Sequence, residues 1–117
     1  MRTILLIRHG STLLNHEDSS IDRVRGWQNI GLSEQGKIEA AGLAVKVSRY
    51  CPDALLSSDL KRAKQTAAIL AKYSGMSLQK PTKDFRPWNV GEFVGRKSSE
   101  VVPILVQYVM EDRKSVV

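Results

Sequence analysis

Residues 3–7, Thr-Ile-Leu-Leu-Ile, form an unbroken β-branched and aliphatic run that ends abruptly at Arg8-His9-Gly10. No polar residue alternates within it, so it reads as a strand buried on both faces, the kind that parallel sheets contain. Ala54-Leu55-Leu56-Ser57 is a second, shorter run of this type, and Met76 to Leu78 a weaker third. Helical patterns separate them. Ser33 has the character of an N-cap, with Glu34 in the first turn, and Ile38, Ala41, Leu43, Ala44 and Val45 lie near helical spacing, which predicts a helix over Ser33 to Arg49. Ser57 or Ser58 is placed to cap a second helix with the stripe Leu60, Ala63, Ala67, Leu70 and Ala71, stopped by Gly75. Ser98 or Ser99 opens a third through about Met110, with Val101, Val102, Leu105 and Val109 on one side and Pro103 tolerated in its first turn. Strands alternating with helices predict an α/β fold with a largely parallel sheet and flanking helices. At 117 residues the chain reads as one domain, residues 1–117.

Between these elements, Ser11 to Ile30 is polar and without period, and Pro81 to Lys97 holds two prolines, two glycines, Phe85, Trp88 and Phe93. Both read as loops, the second a structured one, and long loops in compact domains tend to be functional. Cys51 is the single cysteine, which excludes a disulfide framework and reads as a small buried apolar residue. No apolar run approaches the roughly 20 residues of a membrane span, and the start lacks the apolar stretch of a signal peptide, so a soluble cytoplasmic protein is expected. The balance of 18 Lys and Arg against 12 Asp and Glu, net +6, biases the chain toward anionic partners. Nucleic acid is not expected among them, because no basic helix, zinc-finger spacing or aromatic-interleaved basic strand accompanies the charge. No cluster has metal-ligand spacing, so neither metal nor other cofactor is expected.

The chemistry concentrates at two strand ends. In α/β folds ligands bind beyond the carboxyl ends of strands, where His9 falls. Neutral imidazole is a competent nucleophile near pH 7. Arg8 beside it offers a planar fork for phosphate oxygens, and Gly10 allows close backbone approach. Arg62 lies in the first turn of the helix that follows the second strand, near free amides and the positive dipole end. Two arginines converging from two strand ends make a pocket for a phosphoryl group, whose charge spreads over three oxygens in the transition state.

These residues carry a resemblance. Leu6-Ile7-Arg8-His9-Gly10-Ser11-Thr12, with Asn15 behind it, resembles the opening signature of the histidine phosphatase superfamily, which includes the phosphoglycerate mutases. Gly31-Leu32-Ser33-Glu34-Gln35-Gly36, Leu56-Ser57-Ser58-Asp59-Leu60-Lys61-Arg62-Ala63-Lys64-Gln65-Thr66-Ala67 and Gly91-Glu92-Phe93-Val94-Gly95 are similar to that family's later blocks, in the same order. The resemblance implies a phosphoglycerate mutase-like fold and a phosphohistidine formed on His9, with Arg8 and Arg62 binding phosphoryl oxygens and Ser11, Asn15 and Gly10 contacting the substrate. It implies a small phosphorylated metabolite as substrate and water as acceptor in a phosphatase, or a second hydroxyl in a mutase.

The sequence departs from the family in two ways. The family's second pocket histidine comes from the C-terminal part, and here the histidines are His9 and His16 alone. The domain is therefore expected to be incomplete at its C-terminus, and one lost charged donor costs roughly 2 to 4 kcal/mol of transition-state stabilisation. Pro87 stands where the family often places an acid, which leaves Glu92 or Asp84 as proton donor. The expected function is a phosphatase. Mutase-type transfer, or an inactive domain that binds phosphorylated ligands or proteins, are the alternatives. Smaller expectations follow: His16 as an exposed loop histidine, Trp27 and Trp88 at the substrate mouth or the core edge, Lys61, Lys64 and Lys72 on a solvated face, and Lys80, Lys83, Arg86, Arg96 and Lys97 as a basic loop that attracts substrate charge.

Overall fold

A computed structural model describes residues 3–16, 18, 21–87 and 89–115, and side chains as far as residue 107. Trp88 and the side chain of Val109 lie outside these residues. The chain groups into two compact units, Met1–Leu13 with Asn29–Arg86, and Leu14–Gln28 with Pro87–Val117.

In the first unit, α1 (Glu34–Ser48) and α2 (Lys61–Ser74) pack against each other. Ser33 caps α1 as expected, its hydroxyl accepting the Gly36 amide at 3.1 Å. The buried stripe of α1 is Gly36, Ala40, Ala44 and Val47, a row of small residues that lets backbone come close. Ile38 and Val45, expected inside, sit about half a turn away and are exposed. On α2 the buried residues are Arg62, Thr66, Ala67 and Leu70. Gly75 ends it in the left-handed conformation at φ 71°, where a side chain would be strained, with its amide on the Ala71 carbonyl. The expected cap from Ser57 or Ser58 is not the one formed. Ser58 serves only the Leu60 amide, and Asn29 Oδ1 accepts the Lys61 amide at 2.6 Å from 32 residues upstream.

The core is Ala44, Val47 and Leu70, with Leu5, Ile7, Leu43, Leu55 and Met76 packed on it. The strand predicted over residues 3–7 is not formed among the described residues. Leu5 and Ile7 face the core, whereas Ile4 and Leu6 are 83% and 94% exposed. The core lies on one side of the run and no ladder partner flanks it among the described residues, so alternate residues point in and out. The other two predicted strands reduce to isolated parallel bridges, Leu55 with Leu78 and Ser58 with Thr82. Cys51 corrects another expectation. It is exposed, at φ 48°, because the turn that leaves α1 directs it outward.

In the second unit, Arg23 pairs with Lys97 in an antiparallel bridge, and the Val24 amide reaches the Arg96 carbonyl at 2.9 Å. Asp22 gathers its neighbours: its carboxylate accepts the Ser98 hydroxyl, the His16 amide and Arg25. Partial burial works to raise its pKa, but these donors together hold it below the ordinary value. Two 3-10 turns, Lys83–Phe85 in the first unit and Gly91–Phe93 in the second, structure the loop as expected. The last helix, α3 (Ser98–Ser115), runs further than predicted. Pro103 lies in its second turn, not its first, and removes the bond an amide there would make to the Ser99 carbonyl. Val101 is fully buried, while Val102 is half exposed rather than on the inner side. Among the described residues no helix is long and apolar enough to cross a membrane.

Candidate functional site

The loop that carries His9 is held by both helices of the first unit. The Gly10 amide donates to Thr66 Oγ1 at 3.0 Å, and the Thr66 hydroxyl donates to the Arg62 carbonyl one turn earlier at 2.8 Å. The Ser11 carbonyl accepts from the Ser33 amide at 2.9 Å and the Ser33 hydroxyl at 3.1 Å, so the N-cap of α1 grips it. Contact with α1 is backbone to backbone. A Cβ on Gly10 would lie 2.4 Å from the Gly36 carbonyl oxygen, which is why glycine stands at both positions.

His9 is half-buried, and its Nδ1 lies 2.6 Å from the Gly10 carbonyl oxygen. A carbonyl only accepts, so Nδ1 carries the proton, and in the neutral ring Nε2 carries the lone pair. Connected hydrogen bonds therefore run from the Arg62 carbonyl through Thr66 and Gly10 to the imidazole. Arg62 itself is 3% exposed, far more enclosed than an ordinary helix arginine, while Arg8 is exposed. Glu39 on α1 accepts the Ser11 amide at 3.1 Å and the Ser11 hydroxyl at 2.8 Å. The Ser11 hydroxyl proton is thus given to Glu39.

Arg8, His9, Gly10, Ser11 and Arg62 thus belong to the first unit, and Asn15 and Glu92 to the second. Glu92 is exposed on its 3-10 turn, as is Asp84 on the other. His16 is exposed, its Nδ1 accepting the Asp18 amide, in line with a loop histidine. Trp27 is 43% exposed and donates from Nε1 to the Pro87 carbonyl. Lys61, Lys64 and Lys72 are solvated. Among the described residues no group of three or more His, Cys, Asp or Glu is placed to hold a metal ion.

Arg86 departs from the expectation that its charge serves a substrate. Its Nε and an Nη donate to the two carboxylate oxygens of Asp59 at 2.6 and 2.7 Å, a fork that fastens the end of the 3-10 turn to the residues just ahead of α2. Hydrogen bonding from Arg86 holds the Asp59 carboxyl below its usual 3.8. A carboxyl lowered in the folded state adds stability above its unfolded pKa, and that stability disappears as pH falls through the folded value. Melting temperature is therefore expected to drop below pH about 4 more steeply in the parent than in Arg86→Met. Parallel pH profiles of the two proteins would refute the coupling.

Sequence reasoning missed Thr66, Glu39 and Asn29. Thr66 lies inside a block that carries the family resemblance and four residues after Arg62, the spacing that shares a helix face, but its role was not drawn from either. Glu39 and Asn29 act across the chain on backbone amides, and backbone partners leave no mark in residue types.

A family model described as histidine phosphatase superfamily (branch 1) matches residues 4–113. The chain is 31% identical over 101 residues to a glucosyl-3-phosphoglycerate phosphatase of Mycolicibacterium vanbaalenii, covering 86% of this chain and 43% of that protein. It is 38% identical over 95 residues to a 2,3-bisphosphoglycerate-dependent phosphoglycerate mutase of Tropheryma whipplei, covering 79% and 39%. Among solved structures, a mycobacterial glucosyl-3-phosphoglycerate phosphatase in complex with VO3 superposes with a TM-score of 0.64 at 27% identity, covering 80% of this chain and 44% of that one. The chain spans less than half the length of these relatives, and its likeness to the solved fold places it in the α/β class. By sequence, by fold and by the blocks that surround His9 and Arg62, the chain belongs to branch 1 of the histidine phosphatase superfamily.

Proposed function

We propose that the protein hydrolyses a small phosphorylated metabolite through a phosphohistidine on His9. The observation that carries this reading is the His9 ring itself: its Nδ1 proton goes to the Gly10 carbonyl, which puts the ring's nucleophilic lone pair on Nε2. In the first step Nε2 attacks phosphorus, a P–N bond forms, and the bond from phosphorus to the leaving oxygen breaks. The departing oxygen takes a proton. In the second step water attacks the phosphoryl group, the P–N bond breaks with its electron pair returning to Nε2, and inorganic phosphate leaves. Arg8 and Arg62 bind the phosphoryl oxygens, whose charge is largest in the transition state. The buried position of Arg62 supports that role, because a guanidinium taken out of water attracts an anion more strongly.

Glu92 as proton donor, and Ser11, Asn15 and Gly10 as substrate contacts, belong to the same proposal and rest on the family resemblance. So do the treatment of residues 1–117 as one domain and the largely parallel sheet, which the parallel sense of both bridges in the first unit supports. Transfer to a second substrate hydroxyl is the competing reading, favoured by the likeness to a phosphoglycerate mutase. Phosphatase is preferred because Pro87 stands where mutase-type chemistry expects an acid.

An aryl phosphate is the discriminating substrate, since its low-pKa leaving group needs little help from an acid. The protein is expected to release phosphate from it, and to melt at higher temperature with vanadate, by about 2.7 kcal/mol at a hundredfold excess over Kd. Vanadate stabilisation without turnover would replace the enzyme by a phospho-ligand binding domain. Neither effect would end the reading altogether.

A further inference from the structure

We infer that Thr66 is a positioning residue for the nucleophile: it holds the Gly10 peptide so that His9 keeps its proton on Nδ1 and its lone pair on Nε2. The inference rests on His9 being the reactive group, but its geometry stands on observed contacts.

Thr66 is 4% exposed, on the face of α2 that also carries Arg62. A helix threonine that donates back to the carbonyl four residues earlier is ordinary by itself. What is not ordinary is the second use of its oxygen. The hydroxyl proton goes to the Arg62 carbonyl at 2.8 Å, and a lone pair of the same Oγ1 accepts the buried Gly10 amide at 3.0 Å. Both capacities of one hydroxyl are thereby used to join the loop of His9 to the turn of Arg62. Gly10 passes the constraint on, since its own carbonyl receives the Nδ1 proton of His9 at 2.6 Å. With no side chain on Gly10 and none on Gly36 beneath it, the two backbones pack directly, and the Thr66 hydrogen bond adds a directional hold on this residue. A residue of the same shape without a hydroxyl leaves a buried amide with no acceptor, and the Gly10 carbonyl that orients the ring is then held only from its far side, where Glu39 accepts the Ser11 amide.

The test needs amide exchange and imidazole nitrogen spectra of the full chain, with Thr66→Val as the isosteric variant and Thr66→Ser as the conservative one. In the parent the Gly10 amide is expected to exchange slowly and His9 to show the Nδ1–H tautomer. In Thr66→Val the Gly10 amide should exchange about tenfold faster or more, and the His9 spectrum should become a mixture of tautomers. Aryl-phosphate turnover should fall about tenfold in kcat with KM within about twofold. Thr66→Ser should restore all three. Rapid Gly10 exchange in the parent overturns the inference without any variant, and so does an unchanged His9 tautomer in Thr66→Val. If the spectra change as stated while the parent turns over no aryl phosphate, the positioning role stands and the proposed activity falls.

Discussion

A His9→Ala protein is expected to lose aryl-phosphate turnover by on the order of a thousandfold or more, and to take up no phosphoryl label. The size follows from the role. In the proposed mechanism, removing the atom that bonds to phosphorus leaves only the binding of phosphate by arginines, and such residual catalysis is slow. The substitution should not unfold the protein. The Nδ1 contact of the ring runs to the adjacent residue, and the amide of Gly10 keeps its bond to Thr66. Phosphohistidine is stable to alkali and labile to acid, so a parent protein quenched after mixing with labelled substrate should lose its label in acid. Turnover retained in His9→Ala within a factor of about ten would remove the nucleophile from the mechanism. Label that survives acid would move it to a hydroxyl.

Gly36→Ala should be the most destabilising single-methyl change in the first unit. A Cβ at this position would lie 2.0 Å from the Ser11 carbonyl oxygen and 2.8 Å from the Ser11 amide nitrogen. These are backbone atoms pinned by the Ser33 cap, so they cannot swing aside as a long side chain does. Overpacking a well-packed interior costs roughly 1 to 3 kcal/mol, and a clash with pinned backbone belongs at or beyond the upper end. For a chain of this size that corresponds to a melting temperature lower by about 10 °C or more. Gly42 on the same helix is the control. A Cβ there meets nothing within 4 Å, and alanine should stabilise the helix by roughly 0.5 to 1 kcal/mol. Equal melting temperatures for the Gly36 and Gly42 variants would mean that the loop does not rest on α1.

What the sequence discloses and what it conceals divide along a physical line. The helices were legible because their signals are local: Ser33 at the start of α1, Gly75 at the end of α2, and spaced apolar residues between. Residues 3–7 show an in-and-out alternation without a ladder, because a strand is defined by its neighbours and hydrophobicity alone does not supply them. Ile38 and Val45 misled for a related reason. The interior of α1 is chosen for smallness, with Gly36, Ala40 and Ala44 inward, and not for apolar bulk. The residue types of the candidate site were visible, because Arg8-His9-Gly10 and Arg62 carry distinctive chemistry. Their supports were not. Thr66 and Glu39 work by accepting backbone amides, and Arg86 is spent on Asp59, whose partner no spacing foretells.

The cap on α2 bears on how the chain folds. Helix starts are usually completed by a residue one to three positions away, so they form as fast as the helix itself. Here the Lys61 amide waits for Asn29, and the Leu32 amide waits for Gln65, 33 positions along. Each bond closes a long loop before it rewards the chain. The order of events is thereby constrained: the start of α2 frays until the segment from Asn29 to Leu32 has come home, and the barrier to folding contains that search.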